Sequence, residues 1–98
     1  MSTTQLRRYR LPADPAEQDA WVAWWRDLVE PRRQFGFEVV FAYLDREACE
    51  FLWAVRHRGD FLAAEREYVV SPERVEIMGR DRPHSEISRV CIVDVLVE

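Results

Sequence analysis

The chain has 98 residues, enough for one domain, and carries 14 basic against 18 acidic residues for a net charge of −4. Its 48% hydrophobic content excludes an intrinsically disordered chain. The acidic balance argues against a nucleic-acid binder, and no apolar run approaches the ~20 residues of a membrane span. Four tryptophans, three tyrosines and five phenylalanines are more bulky apolar material than one small core comfortably hides. This surplus indicates a buried subunit interface.

The N-terminus and the two cysteines indicate the cellular compartment of the protein. Residues 1–10 contain no apolar stretch and no small-residue cleavage site, so no signal peptide is predicted. Cys49 and Cys91 are too few for a disulfide framework, and we expect both to be reduced, buried thiols. The chain is therefore predicted to be cytoplasmic. All of its basic residues are arginine, which is typical of a GC-rich bacterial genome.

The first half of the chain reads as a strand followed by a helix. Gln5–Leu11 alternates as a strand does, and Asp14 followed by Pro15 is typical of a helix start. Pro31 is expected to kink or end this helix, and Gly36 suits a left-handed cap. The helix carries one apolar stripe, formed by Ala20, Trp21, Trp24, Trp25, Leu28 and Val29.

The second half begins with a hairpin, Phe37–Leu44 and Cys49–Arg58, rich in β-branched and aromatic residues. Asp60 is a suitable cap for a second helix, and residues 71–73 restart a short helical turn. Ile87–Val97 is predicted as the last strand. The order β-α-β-β-α-β predicts an α+β, ferredoxin-like domain, with a four-stranded antiparallel sheet and its helices on one face.

Both faces of the predicted strands are largely apolar, whereas a sheet with one wet face alternates apolar and polar residues. We therefore expect helices to cover one face and the sheet of a second copy to cover the other. The set that faces the helices stays open, because a one-residue change in hairpin register reverses it. In the first hairpin strand the two sets are Phe37, Val39, Phe41 and Tyr43 against Glu38, Val40, Ala42 and Leu44.

Several short motifs together resemble a known family. They are the tryptophan-rich first helix, FGF (35–37), FLWAVRH (51–57), GDF (59–61), Tyr68 and SPER (71–74). Over residues 1–98 the chain resembles a single NIPSNAP-like domain of the dimeric α/β-barrel superfamily. The resemblance implies a homodimer in which two sheets pack face to face. The superfamily also contains cofactor-independent monooxygenases, haem-degrading enzymes and small isomerases or decarboxylases, and no catalytic residue is carried over from it.

The candidate site residues are two histidines and a set of aromatic side chains. His57 could act as a base or ligand near neutral pH, or be a partly exposed residue at a strand end. His84 lies in a polar loop, and two isolated histidines make no metal-site pattern. Tyr43 and Tyr68 could donate hydrogen bonds into a ligand pocket. Lining such a pocket, or alternatively filling the core, would be Trp21, Trp24, Trp25 and Trp53.

Charged residues within the strands have competing interpretations. Glu38 and Glu50 could be buried bases with raised pKa, or could pair with Arg56 or Arg58 across the hairpin. The arginines at positions 7, 8 and 10 could bind an anion or pair with the acidic helix surface. Cys49 and Cys91 would lie on strands about 10 Å apart, too far for an intrachain disulfide.

Three functions remain open from the sequence. The first is an uncharacterised NIPSNAP-like homodimer that binds a small apolar ligand between sheet and helices. The second is a small enzyme without cofactor, monooxygenase-like or isomerase-like, that acts on aromatic or polyketide-like compounds. The third is a structural or partner-binding module. An enzyme needs a cavity with an unsatisfied polar group, a binding protein needs the cavity alone, and a structural module should have a filled core.

Overall fold

The computed structural model describes residues 2–97, which form one antiparallel sheet and three α-helices. A six-residue 3-10 helix, Glu30–Phe35, joins the first helix to the second strand. The strands have the order β2-β3-β1-β4. The predicted α+β ferredoxin-like fold is confirmed. The strands are β1 (Thr3–Arg10), β2 (Phe37–Asp45), β3 (Glu50–His57) and β4 (Glu86–Val93), and the helices are α1 (Pro15–Val29), α2 (Phe61–Val69) and α3 (Pro72–Met78).

Each α-helix begins at a side-chain cap that satisfies a backbone N–H left free by the first turn. Asp14 accepts from the Ala16 amide at 3.1 Å, and Asp60 accepts from the Ala63 amide at 3.0 Å. Ser71 caps α3. These are the three helix starts that the sequence predicts.

The end of α1 also follows from the sequence. Pro31 has no N–H to donate, and the α-helix stops at Val29. The chain then tightens into the 3-10 helix, which Gly36 closes at φ +88° in the left-handed region. Phe37, directly after this cap, enters β2 as a buried residue.

A β-bulge decides which residues of the hairpin face the helices. Between Val39 and Phe41 the pairing of β2 with β3 shifts by one residue, which leaves Val40 as the extra residue. Phe37 and Val39 lie on the helix-covered face before the bulge, and Leu44 lies there after it. Neither of the two alternating sets predicted for this strand therefore holds along its whole length. The strictly alternating β3 presents Phe51, Trp53 and Val55 to the helices.

Three details differ from the sequence-based prediction. The last strand ends at Val93 rather than at Val97. Residues 94–97 leave the sheet and line a groove together with Val39, Phe41 and Tyr43 of the opposite edge strand. Cys49 is a turn residue at φ +56° rather than the start of β3. Both cysteines are free thiols but are half-buried, not buried as predicted, because Cys49 lies in a surface turn and Cys91 lies on an edge strand.

Helices cover only one face of the sheet. The Cα positions span 39 × 34 × 18 Å, and the short axis has room for one sheet and one helical layer. On the face away from the helices, which we call the open face, lie Leu6, Phe41, Tyr43, Leu52 and Cys91.

Candidate active site

A cavity of about 220 Å³ lies between the helices and the covered face of the sheet. It is bounded by the sheet on one side, by α1 and the 3-10 helix on another, and by α2, α3 and the 79–85 loop at its mouth. Its wall is made of aromatic, aliphatic and charged side chains, and we call it the central cavity. It is lined by Arg7, Tyr9, Trp24, Trp25, Leu28, Val29, Arg32, Trp53, Glu65, Tyr68, Arg74, Met78, Arg82, Ser85 and Ile87.

Two tryptophans of the cavity wall carry unpartnered hydrogen-bond donors. The rings of Trp25 and Trp53 meet edge to face, with centroids 5.3 Å apart. Both indole N–H groups are buried, and neither has a hydrogen-bond partner within residues 2–97. Buried donors are nearly always paired, so these two N–H groups are exceptions, and the surrounding side chains cover both of them.

A largely buried ion pair, Arg32 with Glu65, lies beside the aromatic rings of the cavity wall. Arg32, with 7% of its side chain exposed, donates two hydrogen bonds to Glu65, at 2.8 and 3.2 Å. Its guanidinium carbon lies 4.3 Å from the ring centroid of Tyr68 and 5.0 Å from that of Phe37. The fork geometry and the ring contacts hold the charge without bulk water.

Three further arginines surround the mouth of the cavity. Arg7 donates to Gln5 Oε1 and to the Tyr9 hydroxyl, both at 3.1 Å. Arg82 lies over the Trp24 ring at 4.1 Å, and Arg74 donates to a backbone carbonyl at 3.4 Å. Within residues 2–97 none of the three has a carboxylate within 4.0 Å. The mouth is therefore strongly positive.

The cavity wall holds polar groups but no disengaged base. The Tyr68 hydroxyl donates to the Leu28 carbonyl at 2.9 Å. Burial raises the pKa of Tyr68, against the opposing effect of the Arg32 charge, so the phenol is neutral at physiological pH. Glu65 is the carboxylate in the wall, and Arg32 occupies both of its oxygens. The site is suited to hold and polarise a ligand rather than to abstract a proton with a histidine.

The two histidines lie away from this cavity. His57 is placed at the joint between β3 and α2, where its Nδ1 accepts from the Gly59 amide at 2.8 Å. Its Nε2 lies 2.8 Å from the Phe35 carbonyl oxygen and donates to it. His84 is exposed and 3.6 Å from Glu86. The bonds of His57 occupy both ring nitrogens with backbone groups, so its contacts are structural.

The predicted aromatic residues are divided among three places. Trp25, Trp53 and Tyr68 line the cavity, together with Trp24. Trp21 is fully buried in the core against Phe51, at 5.0 Å between centroids, and does not line it. Tyr43 lies on the open face, 65% exposed, because the bulge at Val40 reverses the alternation before it.

Both strand carboxylates are paired, but only Glu38 has the cross-hairpin partners that the second interpretation predicted. Glu38 accepts from Arg58 at 2.7 Å and from Arg56 at 3.3 Å. Those hydrogen bonds, with the Arg58 bond the stronger influence, lower the pKa of Glu38 rather than raise it. Glu50 lies 3.5 Å from Arg8 on the neighbouring strand, where the sequence had suggested the helix surface as that arginine's partner. No group of three or more His, Cys, Asp or Glu side chains within residues 2–97 could hold a metal ion.

Sequence reasoning did not single out the arginines and the carboxylate of the cavity, Arg32, Arg74, Arg82 and Glu65. In a chain whose basic residues are all arginine, the choice of arginine over lysine carries no information about a site. Arg32 and Glu65 are 33 positions apart and read as ordinary surface charges. Arg7 was noted only as part of an N-terminal cluster. Only the meeting of the 3-10 helix with α2 brings the pair together.

The fold is shared with several solved structures. The Rv0793 protein from Mycobacterium tuberculosis is 18% identical, with a TM-score of 0.67, over 100% of this chain and 98% of that chain. A mutant of SnoaB, a cofactor-independent oxygenase from Streptomyces nogalater, is 18% identical, with a TM-score of 0.62, over 99% and 95%. A protein described as a putative antibiotic biosynthesis monooxygenase from Bacteroides thetaiotaomicron is 14% identical, with a TM-score of 0.60, over 98% and 89%.

These comparisons establish the fold. No protein-family model matches the sequence, and no curated protein does. The neighbours that are described by activity are oxygenases or monooxygenases, and they do not support the NIPSNAP-like branch specifically. None of the helices within residues 2–97 is both long and apolar enough to cross a membrane.

Proposed function

We propose that the chain is a small, cofactor-independent monooxygenase-like protein that acts on an aromatic compound in the central cavity. The main support for this proposal is the cavity itself, which is walled by Trp24, Trp25, Trp53 and Tyr68. The fold around it is shared with a known oxygenase. At about 220 Å³ it is smaller than the ~300 Å³ at which typical ligand sites begin. It therefore suits a planar ligand of roughly two or three fused rings.

The chemistry proposed is carried by the substrate. An electron-rich ring system that reacts with O₂ supplies its own electrons, so that a CH₂ group becomes a carbonyl and the second oxygen atom leaves as water. The chain's task is then to orient the ring, exclude bulk water and stabilise developing negative charge on oxygen. The rings of Trp25 and Trp53, which wall the cavity, and the charge of Arg32 support these roles.

The test is oxygen uptake with anthrone, a three-ring ketone whose CH₂ group lies between two aromatic rings. We expect uptake above the buffer rate and formation of the corresponding quinone. Leu28→Trp, which fills the cavity, should abolish the excess, whereas Leu62→Trp at an exposed position of α2 should not. Uptake equal to buffer, or equal in both variants with circular dichroism showing folded protein, would contradict the proposal.

A second candidate is a binding protein without chemistry. It is favoured by the engaged state of the polar groups in the cavity wall, since Glu65 is paired and Tyr68 donates to a backbone carbonyl. Saturable binding of anthrone to the parent chain and Leu62→Trp, with no oxygen uptake by either, would favour this function over the first.

We further propose that the functional unit is a homodimer formed through the open face, in the cytoplasm, where free thiols such as those of Cys49 and Cys91 persist. Strands of eight or nine residues give that face an area on the order of 500 Å². At its edge Leu96 is 90% exposed. Together with residues 94–97, the open face approaches the ~800 Å² per partner of a standard interface. Its ion pairs, Arg8 with Glu50 and Arg58 with Glu38, are formed within the protomer.

Light scattering tests the dimer. We expect about twice the 11.7 kDa protomer mass at micromolar concentration. Leu52→Glu on the open face should give the protomer mass, and Leu62→Glu on α2 should leave the dimer intact. A parent chain that stays at 11.7 kDa throughout would exclude the dimer.

A further inference from the structure

The charge of the central cavity is opposite to the charge of the chain. Its wall holds four guanidinium groups, those of Arg7, Arg32, Arg74 and Arg82, and one carboxylate, that of Glu65. The chain as a whole carries a net charge of −4. Positive charge is therefore concentrated at one concave site, where low-dielectric walls strengthen its field.

Several arginines outside the cavity are neutralised by carboxylates. Arg46 lies 2.7 Å from Asp19, Arg58 lies 2.7 Å from Glu38, and Arg80 lies 2.9 Å from Glu76. The chain has acidic residues in excess, so partners are not scarce. Within residues 2–97, Arg7, Arg74 and Arg82 have no carboxylate within 4.0 Å. The exposed Arg10, Arg26, Arg66 and Arg89 also lack one, but they do not line the central cavity.

These arginines are held in place yet retain donors. Arg82 donates to the Met78 carbonyl at 3.0 Å and lies flat against Trp24. Arg74 lies 5.8 Å from the Tyr68 ring centroid. A guanidinium has five N–H donors, and backbone carbonyls, Gln5 and Tyr9 take only one or two from each. The remaining guanidinium donors can donate to a negatively charged oxygen of a bound ligand.

We propose that the central cavity binds a planar hydroxyaromatic compound in its ionised form, as the phenolate or enolate, with Arg74 and Arg82 neutralising the oxygen. The sequence had suggested an apolar ligand, and the arginines change that expectation to an aromatic anion. The proton leaves the ligand O–H for solvent, and no oxidation is involved. The inference rests on the central cavity being the site proposed above, and it specifies the ligand's chemical class and charge state.

A suitable probe is 7-hydroxycoumarin, a two-ring phenol that ionises near neutral pH and whose neutral and ionised forms absorb at different wavelengths. Positive charge favours the ionised form, so the bound probe should have a lower pKa than the free probe. We expect a decrease of about one unit, which corresponds to roughly tenfold tighter binding of the anion. The methyl ether 7-methoxycoumarin, which cannot ionise, should bind at least as weakly as the neutral form.

Matched variants separate the cavity from general charge effects. Arg74→Gln and Arg82→Gln should each reduce the decrease in probe pKa by about half. Arg66→Gln removes the same charge from an exposed position of α2 outside the cavity, and it should leave the decrease unchanged. An unchanged probe pKa on binding, equal effects of all three variants, or no binding of the probe would each overturn the inference.

The outcome is distinguishable from that of the oxygenase assay. A lowered probe pKa with no oxygen uptake from anthrone would support the anion site and contradict the oxygenase function. Oxygen uptake that depends on the cavity, together with an unchanged probe pKa, would support the oxygenase function and contradict the anion site.

Discussion

The two faces of the sheet have similar compositions in sequence and very different surroundings in the structure. Along β3, Phe51, Trp53 and Val55 are buried beneath the helices, whereas Leu52 on the open face is only half-buried. The covered face gains its stability within one chain. If the proposed dimer forms, the open face gains its stability from a second chain. Adjacent residues of β3 therefore differ in what covers them within one chain.

The covered face itself is not uniform. Over β1, β2 and β3 the helices make a packed core of aromatic rings, such as Trp21 against Phe51. On β4 the residues in register with that face, Val90 and Ile92, are exposed. The partner sheet of the proposed dimer is therefore not the only explanation for the apolar residues on both sides of β4. The helical layer does not cover this edge strand, and the central cavity opens beside it at Ile87.

The largest expected effect comes from truncating the covered face. Trp53→Ala should lower the free energy of unfolding by about 3–5 kcal/mol, because it removes a buried ring and leaves a hole beside Trp25. The loss should be the same at all protein concentrations. Chemical denaturation at two concentrations, tenfold apart, is the measurement.

Leu52→Ala is the matched control on the open face. Its effect should depend on protein concentration, because the side chain is covered only in the proposed dimer. A concentration-independent loss as large as that of Trp53→Ala would mean that the open face belongs to the protomer core, and the contrast between the faces would disappear.

Much of this architecture is predictable from the sequence, and the exceptions have physical causes. Caps and periodicity are local, so the helix starts at Asp14, Asp60 and Ser71 and the strand order follow from short windows. The bulge at Val40 is not visible locally, because all four residues from Val39 to Ala42 are apolar and either register satisfies them. That one residue moves Tyr43 to the open face.

The candidate site was predictable only in its aromatic part. Bulky rings on a helix stripe and a central strand must meet, which is why Trp25 and Trp53 could be named in advance. The charged part depends on contacts between distant segments, as with Arg32 and Glu65. Residue type does not identify these charged site residues, because every basic residue of this chain is arginine.

The second prediction concerns the ion pair behind the covered face. Glu65→Gln should destabilise the fold by about 2 kcal/mol, because it leaves the buried guanidinium of Arg32 without a counter-charge. Glu76→Gln, which breaks the exposed pair with Arg80, should have little effect on stability. Thermal unfolding of both variants at low and high salt measures the difference, and equal costs would show that Arg32 is solvated in the folded state.

The third prediction tests the joint at which the helical layer meets the sheet. Gly36→Ala should cost about 1–2 kcal/mol, because φ is +88° and the added Cβ would lie 2.9 Å from His57 Nε2. Gly79→Ala makes the same change at φ −82°, where the nearest contact is 3.4 Å, and should be close to neutral. Comparable unfolding midpoints for the two variants would show that His57 moves aside freely and does not fix the joint.

The smallest expected effect concerns the Tyr68 hydroxyl in the cavity wall. Tyr68→Phe should cost about 1 kcal/mol at neutral pH, because it removes the hydrogen bond to the Leu28 carbonyl while keeping the ring. Urea denaturation at pH 7 measures the loss. Tyr43→Phe, on the open face, serves as the control and should be neutral within error.

The same variant has an opposite signature at high pH. Burial raises the pKa of Tyr68 above its ordinary value of 10.0, so its stabilising contribution is complete below pH 10 and is lost as the pH rises toward the folded-state value. The chain has no lysine, so tyrosines are the side chains that change charge in this range. The stability of the parent chain should therefore fall more steeply above pH 10 than that of Tyr68→Phe, and the two curves should converge. Parallel curves would mean that the phenol ionises as readily in the folded chain as in the unfolded one, and that the cavity wall at Tyr68 is open to water.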